Sequence, residues 1–178
     1  MATVDPETRQ QMIDRAYALA YENEQKYGSC PQCVLAAMMD VFGVGSDDAF
    51  KASHVLAGGG GLTTKGTCGA LIGGMMAISA KYGRDRANFG NGLYMDSFAL
   101  AKQVFDRFVA EFGSPLCGDV QTKVFGRSYD FWNQKEFEAF EAAGGHKDKC
   151  PLVAGTAARI AAEVLLGAEA EAQRLGSA

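Results

Sequence analysis

Histidine is nearly absent from this chain, with two in 178 residues, and no run of eighteen uninterrupted apolar residues occurs. Metal chemistry built on several imidazoles is therefore excluded, and the sequence offers no obvious bilayer-spanning helix. The richest apolar stretch, CGALIGGMMAISAKYG at 68–83, is short and broken by glycine. A basic excess is missing too. Seventeen lysines and arginines face 21 aspartates and glutamates, a net charge of -4, so neither a nucleic-acid footprint nor a polybasic membrane patch is present. The N-terminal stretch MATVDPETRQQMIDRAYALAYENEQKYG lacks a basic start followed by an apolar run and does not read as a secretory signal. These absences lead us to expect a cytoplasmic protein with no nucleic-acid partner and no membrane insertion.

Strand signals are scarce as well, with only the run Gln121 to Phe125 reading that way. Helical periodicity dominates instead. Met12, Ile13, Ala16, Tyr17 and Ala20 recur on one face between Asp5-Pro6 and Gly28, predicting a helix over 7–27. Pro31 suits the first turn of a second helix through Val34, Leu35, Met38 and Phe42, closed by Gly43. Ser46 caps a short helix over 46–56, and Gly58 to Gly61 force a loop. Further helices are expected over 68–82, along Phe98, Ala101, Phe105, Phe108 and Phe112, over 134–143, and from Pro151 through Ile160, Val164 and Leu165. Residues 114–132 read as irregular. With no repeat or linker, residues 1–178 predict a single all-α, bundle-like domain whose ends, 1–6 and 168–178, fray.

Five cysteines stand out against this background. A chain of this length can bury a core without disulfide staples, and cytosolic thiols are kept reduced, so metal binding or redox chemistry is the better account of them. Cys30-Pro31 and Cys150-Pro151 place two cysteines at helix starts, and Cys68 opens a helix after the glycine loop. Free N–H groups and the positive dipole end there favour a thiolate or a metal-bound sulfur. Cys117 falls outside any predicted helix. Cys33 reads as a small buried core residue, although Cys30-Pro31-Gln32-Cys33 also has the spacing of a thiol redox pair.

Other motifs fail or stay bland. GGGGLTTKGT has Lys65-Gly66-Thr67 where a phosphate loop needs Gly-Lys-Thr, and no strand precedes it. Its glycines suit close backbone approach or N–H donation to sulfur, and equally the flexibility of an ordinary loop. Gly69, Gly73 and Ala77 give the central helix a small-residue face for close packing around Cys68. Val34 follows Cys33, which excludes c-type haem attachment. His146, four residues before Cys150 and so within reach of the same site, reads first as a surface-loop residue, His54 reads as a helix-face residue, and the methionines as core.

The segment Gly60 to Gly73, GGLTTKGTCGALIG, continuing to Lys81-Tyr82-Gly83, resembles the C-GCAxxG-C-C family, whose members are regarded as redox-active. Tyr27-Gly28-Ser29-Cys30-Pro31-Gln32-Cys33-Val34 resembles that family's first cysteine segment, Phe112 to Cys117 its third, and Cys150-Pro151 its fourth. The resemblance selects Cys30, Cys68, Cys117 and Cys150, with Cys33 an extra. It relates the chain to the non-haem domain of split-Soret cytochromes, whose relatives carry an iron–sulfur cluster. On that basis we expect the four cysteines to bind a cluster, [2Fe–2S] in preference to [4Fe–4S], with no haem. The role would be electron transfer or redox support, with an unidentified redox protein as partner and a homodimer left open. Two alternatives stand beside it. One is a thiol–disulfide oxidoreductase using Cys30 and Cys33 as catalytic residues, and the other is a structural zinc site.

Overall fold

A computed structural model describes residues 5–176, and the chain there is all-α. Its helices are α1 (Pro6–Tyr27), α2 (Cys30–Phe42), α3 (Asp47–Ser53), α4 (Gly69–Tyr82), α5 (Met95–Phe112), α6 (Cys117–Phe125), α7 (Gln134–Ala142) and α8 (Cys150–Gly176). A π turn, Gly145–Lys149, leads directly into α8. Among the described residues the one β-type pairing is an isolated antiparallel bridge between Thr67 and Leu116.

The helix boundaries follow from local chemistry. Asp5 Oδ1 accepts from the N–H groups of Glu7 and Thr8 at 3.1 and 3.0 Å, Ser46 accepts from Ala49 at 3.3 Å, and Asn133 accepts from Lys135 and Glu136. Each such cap is worth about 1 kcal/mol. Gly43 and Gly113 end α2 and α5 in the left-handed conformation that a Cβ would strain.

One expectation needs correction. Gln121 to Phe125 is not a strand but the second half of α6. Val120 and Val124 lie one turn apart against the core, and Gly126 at φ 84 closes the helix, so the period is helical. The stretches 1–6 and 168–178, expected to fray, include residues 1–4 and 177–178, which lie outside the described residues; α8 is helical to Gly176.

α8 is the centre of the fold, with α1, α2, α4 and α5 packed around it. Ala154, Ala157, Ala158, Ala161 and Ala162 are all buried, so neighbouring helices come close. At Gly155 a Cβ would stand 2.9 Å from the ring of Tyr17 on α1. The span Gly145–Leu175 is long and apolar enough to cross a membrane, yet 72% of its most apolar window is buried inside the protein, where the core uses that surface. The small-residue face expected on α4 meets α2 head to head. A Cβ on Gly73 would lie 2.6 Å from the Pro31 carbonyl oxygen, and one on Gly69 would lie 3.0 Å from Cys30 Sγ. Close packing of α4 on α2 thus brings the first turn of each helix, and the cysteine at its head, side by side.

Candidate functional site

Cys30, Cys68, Cys117 and Cys150 all line one cavity of about 70 Å³. Each stands at a helix start: Cys30 opens α2, Cys68 is the N-cap of α4, Cys117 opens α6 and Cys150 opens α8. Cys117 was expected to lie outside any helix and in fact begins one. Its position is fixed by tertiary contacts and not by a local cap. The Cys117 N–H donates to Gly66 at 2.9 Å, the Gly118 N–H to Thr64 at 2.8 Å, and the Cys68 N–H to Pro115 at 2.7 Å. The glycine loop and the 114–118 segment are thereby clamped together, with Cys68 and Cys117 adjacent to the seam.

The glycines serve close approach. A Cβ on Gly66 would meet the Gly59 carbonyl oxygen at 2.4 Å, and Gly59, at φ 76, rests against the Cys117 Cβ. The N–H groups of Gly60, Gly61, Thr64 and Gly66 donate to carbonyls of the same loop and its preceding turn, so they are not spent on sulfur.

The expectation of stabilised thiolates is reversed. Burial raises Cys30 and Cys150 well above the ordinary thiol value, Cys117 to about 12 and Cys68 to about 11, with negative neighbours, Glu24 among them, adding to the rise. At Cys68 the N–H groups of Ala70 and Leu71 lie near the sulfur and favour the thiolate, without meeting the geometry of a cap hydrogen bond, and burial outweighs them. At Cys150 no free helix end exists, because its N–H donates to Gly145 across the π turn. Helix dipoles therefore do not decide these thiols; desolvation does.

Cys33 does not line the cavity. Its thiol donates to the Gly28 carbonyl at 2.7 Å, and burial together with Glu24 pushes its pKa far upward. The Cys30–Cys33 spacing thus brings together one cavity thiol and one that is engaged elsewhere.

Several residues of the site went unrecognised in the sequence. Glu24 is buried in the cavity wall, and its Oε2 and the Ser29 Oγ have no hydrogen-bond partner. Burial raises the Glu24 pKa, against the lowering effects of Cys33 and His146. Ile13, Ala16, Ala20 and Glu24 are the buried residues of α1, so helical spacing alone would have placed this carboxylate inside. His146, expected on a surface loop, lines the cavity from the π turn, with its ring edge-on to Phe140 at 5.3 Å. Gln121 donates from Nε2 toward Cys117 Sγ at 3.7 Å and accepts from the Tyr129 N–H at 2.8 Å. Phe125, Phe131, Phe137 and Phe140 close the apolar side. Among the described residues, no three His, Cys, Asp or Glu side chains approach closely enough to hold a single metal ion.

A family model described as "Putative redox-active protein (C_GCAxxG_C_C)" matches residues 28–164. Neither the curated proteins nor the solved structures contain a match to the chain.

Proposed function

The chain belongs to the C_GCAxxG_C_C redox-active family, and from that premise we propose that Cys30, Cys68, Cys117 and Cys150 hold an iron–sulfur cluster for one-electron transfer. The observation that carries this reading is the convergence of these four thiols on one cavity, while Cys33 is excluded from it. Four cysteines from four helices complete the coordination of either common cluster, and when bound the cluster would supply a one-electron couple. Sulfurs that ligate different irons stand farther apart than ligands of one ion, which suits a donor set too open for a single metal. The same openness disfavours structural zinc.

The residues around the donors suit this role. The phenylalanine wall makes one side of the site apolar, and the Gln121 amide aimed at Cys117 is the kind of donor that tunes a ligated sulfur. A thiol–disulfide exchange is disfavoured because Cys33 is hydrogen-bonded and pushed far from thiolate.

Anaerobic purification followed by visible absorption, iron and acid-labile sulfide assays and EPR of the reduced protein tests the reading. A coloured protein with stoichiometric iron and sulfide is expected. A chain that stays colourless and iron-free after reconstitution overturns it.

A further inference from the structure

The cavity wall contains a carboxylate that cluster ligation leaves unused. Glu24, 1% exposed, lies on α1 outside the family-matched residues 28–164, and its Oε2 is unpartnered. Its Oε1 stands 3.9 Å from Nε2 of His146. On the other side of the ring, Nδ1 hydrogen-bonds Oε1 of Glu141, whose side chain is 40% exposed, while that of His146 is 32% exposed. Glycine at position 28 makes this possible, because a Cβ there would be 3.3 Å from the same Nε2. A line of titratable groups, Glu24, His146 and Glu141, therefore runs from the apolar cavity to solvent.

The tautomer follows from the partners. The Glu141 carboxylate can only accept, so Nδ1 carries the hydrogen and Nε2 is free to give or take a proton toward Glu24. Closing 3.9 Å to hydrogen-bond range needs a side-chain adjustment of about 1 Å. The other titratable groups facing the cavity are Cys30, Cys68, Cys117 and Cys150, with Cys33 behind Glu24 on α2. All are acids, and among the described residues no lysine or arginine lines the cavity, so a proton brought in through His146 is a charge that can compensate an added electron.

We propose that reduction at the four-cysteine site is coupled to uptake of one proton by Glu24, delivered from solvent through His146 with Glu141 stabilising the imidazolium. The proposal rests on the cluster reading above. The electron comes from a one-electron donor protein and the proton from water. His146 is first protonated at the ring. Its Nε2–H bond then breaks as an O–H bond forms on Glu24 Oε1, leaving a neutral imidazole with hydrogen on Nδ1. Oxidation runs the same transfer backwards, so the charge of the buried site is unchanged over the cycle.

Redox titration of the reconstituted full-length protein at a series of pH values tests this. The wild-type midpoint potential should fall by about 59 mV for each tenfold drop in proton concentration, the value for one proton per electron. Glu24→Gln should retain its iron and sulfide and lose the slope. Reduced-minus-oxidised infrared difference spectra of the wild type should show a carboxylic-acid C=O band on reduction, a measurement that stands even where the variant folds poorly. A pH-independent wild-type potential, an unchanged slope in the loaded variant, or absence of that band overturns the coupling while leaving the cluster in place. A chain that takes up no iron overturns the cluster reading itself, and the coupling with it.

Discussion

Gly73→Ala should destabilise the protein although alanine is the better helix former. Within α4 the substitution gains about 1 kcal/mol of helix propensity. The added Cβ would lie 2.6 Å from the Pro31 carbonyl oxygen, 2.9 Å from the Val34 Cβ and 3.1 Å from the Pro31 Cα. None of these atoms can swing aside by a rotamer change, so α2 must retreat by about 0.8 Å to reach ordinary contact at 3.4 Å. Overpacking of this kind costs about 1–3 kcal/mol, which leaves a net loss of up to about 2 kcal/mol. Gly74, the next residue of the same helix, is the control. Its nearest neighbours would be 3.4, 3.4 and 3.5 Å away, so Gly74→Ala should be neutral or gain up to about 1 kcal/mol. Gly167 in α8 has open space and should behave likewise. Urea unfolding of the metal-free protein, followed by helical circular dichroism, reads all three. A Gly73→Ala protein as stable as Gly74→Ala would refute the close approach of α2 and α4 on which the juxtaposition of Cys30 and Cys68 depends.

Serine in place of Cys30, Cys68, Cys117 or Cys150 should each abolish stoichiometric iron binding, whereas Cys33→Ser should bind iron as the wild type does; iron and sulfide assays after anaerobic reconstitution check both. The metal-free protein should lose stability as pH rises through two windows. Glu24 has a folded pKa raised above 4.5, so the folded state holds a proton that the unfolded chain releases, and stability falls as pH climbs above that value. The thiols repeat the effect above pH 9.0, through the Cys68 and Cys117 values of about 11 and about 12 and on to the higher values of Cys30, Cys150 and Cys33. Glu24→Gln should remove the first decline and leave the second, as measured by urea midpoints across the pH range.

How much of this was legible in the sequence depended on whether the controlling interaction was local. Proline after Cys30 and Cys150, and glycines before Cys68, mark helix starts that the structure contains, and the Gly69-Gly73-Ala77 face packs as its spacing implies. Cys117 carries no such mark. Its preceding residue, Leu116, offers no capping side chain, and the helix start is held by carbonyls of Gly66 and Thr64 some fifty residues earlier in the chain. Thiol chemistry was misjudged for a related reason. A helix end is visible in sequence, but the burial that outweighs it comes from phenylalanines of α6, α7 and the loop between them. Glu24 was legible in principle, as the polar member of an otherwise apolar stripe on α1.

Raised thiol pKa values make a final prediction that separates dipole control from burial control of the site. A cluster is ligated by thiolates, so any proton resident on a cysteine beforehand must leave when the site is loaded. With Cys68 at about 11, Cys117 at about 12, and Cys30 and Cys150 pushed well above the ordinary thiol value, all four are thiols at neutral pH. Transfer of a preformed cluster into the metal-free protein, from a donor whose own proton uptake is known, should therefore release about four protons per chain. Proton release in weakly buffered solution, followed by an indicator dye, counts them. Had the helix N-termini held the cysteines as thiolates, the count would fall toward zero and loading would be nearly independent of pH. A count near four fits a site whose thiols are too protonated to act as nucleophiles and are unmasked only by a bound cation. A count near zero would refute burial control and restore the thiol-exchange reading to contention.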